Sequence, residues 1–215
     1  MYCPIMESLV DDIEEYELDL EISCTCIGSC GRDCECYNRY GFAYSETGKI
    51  IENFNDTKPI FECNNNCSCT VECYNRVVQK GSKCKISIRK TINKGLGVFA
   101  EENIEKGEFI GIYAGVIVDN NCEGPYVFLI RENTPLKTYT TAFDAQYSGN
   151  FSRFINHGCN PNLQALAIRV NHIIPTVAFF SIKPIAKGKE LTFEYRKYSN
   201  EQQCFCGSKK CKGTF

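Results

Sequence analysis

From Cys84 onward the chain is written in short apolar runs broken by glycine and polar turns. Ile86 and Ile88 alternate with polar neighbours in KISIRK; GVFA, FIGIYAGVIV, YVFLI, LQALAIRV and TVAFFSI follow, each rich in β-branched or aromatic residues. KG, GP, NP and KGKE sequences bound them, so side-chain alternation and turn chemistry predict an all-β region of many short strands over about 85–198. Nothing predicts a long amphipathic helix. No period of about 20–50 residues repeats, which excludes a solenoid or a propeller. Residues 24–73 differ in kind: poor in aliphatic side chains and dense in cysteine, they lack the means to build an apolar core, and something else must order them.

Nine cysteines stand in that segment, Cys24, Cys26, Cys30, Cys34 and Cys36, then Cys63, Cys67, Cys69 and Cys73. Three tetrahedral zinc ions need twelve sulfur contacts, and nine thiolates supply twelve if six are terminal and three each bridge two metals. The competing reading is a disulfide scaffold, since the chain holds 16 cysteines in 215 residues. Against it, CxC pairs suit shared metals better than separate bridges, and MYCPIMESLVDDIEEYELDL has neither the basic nor the apolar region of a secretory leader. A reducing compartment, cytosol or nucleus, follows. With only two histidines in the chain, thiolate must carry the metal. Near the C-terminus Cys204, Cys206 and Cys211 supply three ligands, one short of a closed tetrahedron, and Cys159 in RFINHGCNPN is the expected fourth. Cys3, Cys84 and Cys122 remain as buried or incidental thiols.

Charge narrows the partners. The formal net charge is −2, and four zinc ions on thirteen thiolates take it to about −7. Such a chain is not expected to hold duplex nucleic acid by general electrostatics, whereas a basic peptide matches it. No run of about 18 apolar residues predicts a membrane span. Eight acidic residues lie between Glu7 and Glu21, read here as a solvated or loosely docked arm with no assigned role. The stretch Tyr37 to Glu62 is expected to be connection and packing.

Taken together, the cysteine segment, CYNRVVQKG, KGLGVFA, YAG, NFSRFINHGCNPN, ELTFEY and the CxCx4C tail resemble, in order, the SET-domain protein lysine methyltransferases, in particular the group acting on lysine 9 of histone H3. The resemblance runs from about residue 24 to the end. It implies a mostly β SET fold of short strands and small sheets, with a Zn3Cys9 pre-SET module and a zinc-pinned post-SET tail. The expected division is an acidic arm (1–22), pre-SET module and link (23–83), SET catalytic domain (84–198) and post-SET tail (200–215).

By that resemblance the reaction is methyl transfer from S-adenosyl-L-methionine to a lysine ε-amine, with four zinc ions as structural cofactors. Tyr195 is the implied catalytic residue, orienting the amine. Phe193 occupies a phenylalanine/tyrosine switch, where phenylalanine leaves room for di- or trimethylation, and Tyr126 resembles a wall of the lysine channel. For the cofactor the resemblance implies Lys94, Gly95 and Leu96 at the methionine part, Asn156 and His157 at the adenosyl part, Arg153 as their support, Ser148 at a position often held by tyrosine, and Phe205 over the adenine. The expected partner is a basic histone H3 tail, the expected location nuclear chromatin. Lysine 36 of histone H3, a non-histone protein, and a non-catalytic zinc-stapled peptide-binding module stay open as alternatives. Departures from the family pattern are Leu96 for tryptophan, Val116 for an acidic residue, Ser148 for tyrosine, Gly158 for serine, and a connection of seven residues between Val118 and Tyr126 where relatives carry a longer insert.

Overall fold

A computed structural model describes residues 22–51, 60–133, 138–195 and 202–215, together with the backbone of two short strands, β1 (Cys3–Pro4) and β2 (Leu9–Val10). The rest of the acidic arm lies outside the described residues. One six-residue helix, α1 (Glu35–Tyr40), sits inside the cysteine segment, and β3 (Ile60–Phe61) leaves it. Next come β4 (Ile86–Lys90), β5 (Leu96–Ala100), β6 (Phe109–Ile112), β7 (Val116–Val118), β8 (Val127–Asn133) and β9 (Thr138–Asp144). The last five are β10 (Ser148–Gly149), β11 (Asn156–His157), β12 (Leu163–Arg169), β13 (Thr176–Ser181) and β14 (Thr192–Phe193).

Alternation of apolar residues puts these strands into small sheets rather than one large one. Two sheets have four strands, ordered β3-β12-β13-β6 and β2-β7-β9-β8, while β4-β5, β1-β10 and β11-β14 are two-stranded. The first four-stranded sheet crosses the expected boundary at residue 83, because β3 pairs in parallel with β12, Ile60 opposite Ile168. The stretch Tyr37 to Glu62 is thus more than connection: it donates a strand, and it buries Ala43, Tyr44 and Ile60 against Phe109, Leu166, Ile168, Ala178 and Phe180. Completely burying a side chain such as Phe180 contributes about 2–3 kcal/mol, so this seam fixes the cysteine module on the β domain. Glu62 locks it further, its buried carboxylate accepting from the backbone N–H of Val77 (3.0 Å) and Val78 (2.7 Å).

A second core, with Phe143, Phe179, Ile155 and Leu191 fully buried, lies under the other end of the β domain. Over it β11 and β14 run parallel, Asn156 opposite Thr192 and His157 opposite Phe193. Asn162 fastens them: its backbone N–H donates to Thr192 O (3.1 Å) and its Oδ1 accepts from Thr192 N (2.8 Å). Two motifs more than 30 residues apart in sequence therefore meet side by side, and the site is built on them.

Candidate active site

Cysteine sulfurs form the molecule's third buried cluster, in which Cys24, Cys30, Cys34, Cys36, Cys63, Cys67, Cys69 and Cys73 are all buried. Their Sγ atoms fall into overlapping quartets, each with all four sulfurs within 4.8 Å: Cys24, Cys26, Cys30, Cys34; Cys24, Cys36, Cys63, Cys67; and Cys24, Cys30, Cys63, Cys69. Cys24–Cys30 and Cys30–Cys63 are 3.5 Å apart and Cys36–Cys67 3.8 Å. Tetrahedral zinc with Zn–S near 2.3 Å requires S···S of about 3.8 Å, so the donor set fits that metal. The fifteen cysteines of the described residues are all free thiols, which removes the disulfide reading for them. These sulfurs perturb one another: a hydrogen bond with Cys63 pulls Cys73 down to about 4, while hydrogen bonds with Cys36 and then Cys73, together with burial, drive Cys63 far upward. A fourth quartet joins Cys159 to Cys204, Cys206 and Cys211, with Cys159–Cys204 at 3.6 Å.

That fourth quartet folds the tail over β11. Backbone pairing of Gln202 with Phe215 (both N–H···O 3.0 Å) and of Cys204 N with Gly213 O (2.8 Å) closes it into a loop. Phe215 stacks on the His157 ring at 4.4 Å and 14° and stands edge-on to Tyr195 at 5.4 Å. His157 is pinned from three sides: its Nδ1 accepts the Tyr195 backbone N–H at 3.0 Å, its Nε2 lies 3.2 Å from Cys159 Sγ, and burial lowers its pKa.

Beneath the tail, aromatic rings pack against one another. Phe193 and Tyr195, two apart on an extended segment, have ring centroids 4.7 Å apart, and Phe193 meets Phe128 at 5.7 Å and Phe179 at 5.0 Å. The Tyr195 hydroxyl donates to Ile155 O at 2.7 Å, and burial pushes its pKa well above the usual phenol range. Tyr113, in the YAG motif, donates to Tyr126 O at 2.5 Å and holds the entry of β8 in place. The Arg153 guanidinium lies 3.8 Å from the centre of the Tyr126 ring, a cation–π contact.

A cavity of about 390 Å³ opens beside these rings, and its walls include Lys94, Gly95, Leu96, Tyr126, Arg153, Asn156, His157, Tyr195, Phe205 and Phe215. The Lys94–Leu96 wall is the end of the β4–β5 hairpin, where Gly95 has φ +70°, a conformation that favours glycine, and its carbonyl accepts from Thr91 N at 2.7 Å. Of the residues expected at the site, Phe193 packs behind the cavity wall. Ser148 is not on the wall: it lies on β10, opposite Cys3 of β1, because that segment is drawn into strand pairing. Sequence reasoning overlooked Phe128, Tyr113, Phe215 and Glu190. The YAG and ELTFEY motifs flagged the neighbourhoods of Tyr113 and Glu190; no local signal marks Phe215.

Comparison with known proteins matches residues 95–196 to the SET domain and residues 3–76 to the Pre-SET motif. Probable histone-lysine N-methyltransferase set-23 of Caenorhabditis briggsae is 34% identical over 208 residues, covering 88% of this chain and 85% of that protein. The H3 lysine-9 specific histone-lysine N-methyltransferase KMT1 of Fusarium mangiferae is 31% identical over 214 residues, covering 81% of this chain and 62% of its own length. Other relatives are longer, and the chain spans 16% of EHMT1 from Mus musculus, to which it is 34% identical. Among solved structures, KRYPTONITE in complex with mCHH DNA, H3(1-15) peptide and SAH superposes with a TM-score of 0.83 at 27% identity, covering 99% of this chain and 47% of that one.

Proposed function

Because the chain belongs to the SET-domain histone-lysine N-methyltransferases, we propose that it methylates a lysine of the histone H3 tail with S-adenosylmethionine, with lysine 9 as the leading site and di- or trimethyllysine as the product. Supporting the site choice are the pre-SET cysteine module and the lysine-9 specificity in the name of the Fusarium mangiferae relative. The single observation that carries the reaction is the Tyr195 hydroxyl, anchored on Ile155 O where the aromatic rings meet the cavity.

S-adenosylmethionine supplies a sulfonium methyl: the amine lone pair forms the new C–N bond as the S–C bond breaks, leaving S-adenosylhomocysteine and a methylammonium that later loses its proton to water. The chain's residues bring this about by position. Since the Tyr195 O–H is spent on Ile155 O, its oxygen lone pairs are left to accept from the amine N–H. Burial keeps that phenol protonated, so Tyr195 orients the amine and is not its base. Free lysine is only roughly 0.4% neutral at pH 8, and the apolar surroundings of Phe193, Phe128 and Tyr126 disfavour the ammonium by desolvation. Phe193, lacking a hydroxyl, leaves no anchored water against Tyr195, so an amine that already carries methyl groups can still turn toward the donor.

Zinc would order this machinery, held in the pre-SET module by Cys24, Cys26, Cys30, Cys34, Cys36, Cys63, Cys67, Cys69 and Cys73 and at the tail by Cys159, Cys204, Cys206 and Cys211, where it would supply the structural cross-link that these segments lack as an apolar core. A nuclear, chromatin-associated location fits the substrate.

Mass spectrometry of full-length histone H3 after reaction with S-adenosylmethionine, run beside Tyr195→Phe, tests the proposal. The expected result is methylation at lysine 9, up to three methyl groups, that disappears in the variant. Transfer to lysine 36 would redirect the site, and binding of S-adenosylmethionine without transfer to H3 would point to a non-histone substrate. Failure of zinc-loaded protein to bind S-adenosylmethionine would leave a non-catalytic peptide-binding module.

A further inference from the structure

Glu190 opens the ELTFEY motif just before β14, and its carboxylate is shared between two walls of the cavity. Oε2 lies 2.5 Å from Lys94 Nζ, and Oε1 accepts from Asn156 Nδ2 at 2.9 Å. Asn156 Nδ2 also donates to Leu96 O at 2.9 Å. Both partners of that nitrogen are obligate acceptors, a carbonyl and a carboxylate, so the amide cannot turn over without facing oxygen to oxygen. Its two N–H groups are thereby used, which leaves Oδ1 as the side-chain atom that serves a ligand. The Glu190 main chain is fixed in turn: its carbonyl accepts from the Asn162 side chain Nδ2 at 2.8 Å, and a β-bridge joins Glu190 to Phe99. Gly97 leaves the needed space, since a Cβ there would come within 2.8 Å of Glu190 Oε1 and 3.0 Å of Asn156 Nδ2.

We infer that Glu190 is a positioning residue for the cofactor site: it sets the polarity of Asn156, so that this side chain meets the cofactor as a hydrogen-bond acceptor, and it holds Lys94 of the hairpin tip against the same wall. The inference rests on the proposed binding of S-adenosylmethionine in this cavity. It assigns Glu190 no contact with the methyl group or the lysine, so it separates cofactor affinity from chemistry.

Isothermal titration with S-adenosylmethionine and steady-state kinetics on an H3 peptide, using full-length zinc-loaded protein, provide the test. Glu190→Leu is expected to raise Kd and KM for S-adenosylmethionine about tenfold or more, the scale of one lost charged hydrogen bond. The peptide KM and the kcat at saturating cofactor should stay within about twofold of wild type. Glu190→Gln keeps an acceptor for Asn156 and should lose less. Rescue decides between positioning and general damage. Asn156→Asp keeps an acceptor for the cofactor but sets carboxylate against carboxylate. In Asn156→Asp/Glu190→Gln the new amide donates to the new carboxylate, and affinity should recover about tenfold relative to Asn156→Asp. Recovery is partial because Leu96 O still lacks its donor. The inference is overturned if the double variant binds no better than Asn156→Asp, or if Glu190→Leu leaves the cofactor Kd unchanged. If Glu190→Leu does not fold, the Gln and rescue pair decide by the same criteria. A wild type that does not bind S-adenosylmethionine refutes the cavity assignment instead.

Discussion

Replacing Arg76 by methionine removes a guanidinium buried against the cysteine cluster while keeping most of its volume. Arg76 is 6% exposed. Its Nη1 donates to Cys63 O (3.0 Å) and Gln79 Oε1 (2.7 Å), and its Nη2 donates to Asn64 O (2.8 Å) and reaches Cys69 Sγ at 3.5 Å. Nine thiolates on the three proposed zinc ions would carry about −3, and this cation would be a compensating charge at the Cys63–Cys69 side. Methionine takes one donor from each of two backbone carbonyls, although Cys63 O keeps Gln79 Nε2 and Asn64 O keeps the Cys67 N–H, and it leaves the exposed Gln79 amide oxygen to water, so the loss is that of hydrogen bonds from a charged donor, roughly 2 kcal/mol of module stability. Outer-shell losses of this kind weaken metal affinity about 10–100-fold. The assay is zinc transfer to a chromogenic chelator, followed kinetically. Three of four zinc ions should leave faster in Arg76→Met, while the ion held by Cys159, Cys204, Cys206 and Cys211, which Arg76 does not touch, serves as an internal reference. Arg76→Lys should fall between, because one ammonium cannot reproduce the planar fork. Unchanged release of all four ions, or equal acceleration of all four, refutes the reasoning.

Phe193→Tyr sets a hydroxyl beside the Tyr195 ring, now 4.7 Å away, and should shift the product toward monomethyllysine; intact-mass analysis showing an undiminished trimethyl product would contradict the role of Phe193. Cys211→Ser should lower bound zinc from four to three and weaken S-adenosylmethionine binding about tenfold or more, because Phe205 and Phe215 lose the tie that holds them on the cavity; atomic absorption and titration calorimetry read both, and unaltered affinity would sink the idea. Methylation rate should climb with pH between about 7 and 9.5 as the lysine substrate deprotonates, with no fall near 10 from Tyr195, whose burial raises its pKa. The sign for stability follows: a phenol whose pKa is higher folded than unfolded favours the unfolded chain once pH passes about 10, so Tm should drop more steeply from pH 10 to 11 in wild type than in Tyr195→Phe. Equal slopes would mean that Tyr195 titrates as freely as an exposed tyrosine.

Much of this molecule was legible before any coordinates. Nine cysteines in CxC-rich spacing point to metal binding through coordination arithmetic alone, which needs no knowledge of where the chain runs, and eight of them gather in three overlapping quartets of sulfurs that could hold zinc. Alternation did the same for the strands, and for the neighbouring rings of Phe193 and Tyr195, because residues two apart on an extended chain share a face. Ordered motifs pointed to the cavity walls at Lys94–Leu96, Asn156 and His157.

What the sequence by itself determined, then, is the chemistry available: thiolates in metal-sharing order, a tyrosine and phenylalanine on one face, and a chain of mostly short strands. Only the tertiary structure decided which distant groups meet. The parallel pairing of β11 with β14 lays Asn156–His157 beside the segment that carries Tyr195, and no local pattern encodes that register. Phe215 gains its place only because the tail doubles back through Gln202 and the Cys159 quartet. Glu190 reads in sequence as one more surface acid, and it becomes the shared partner of Lys94 and Asn156 only when three separate segments converge. Ser148 lies on β10, paired with β1, and is not among the residues that line the cavity. Spacing along a chain fixes contacts within a few residues; contacts across many residues depend on which strands pair, and pairing is settled by the burial of the whole set of apolar faces at once.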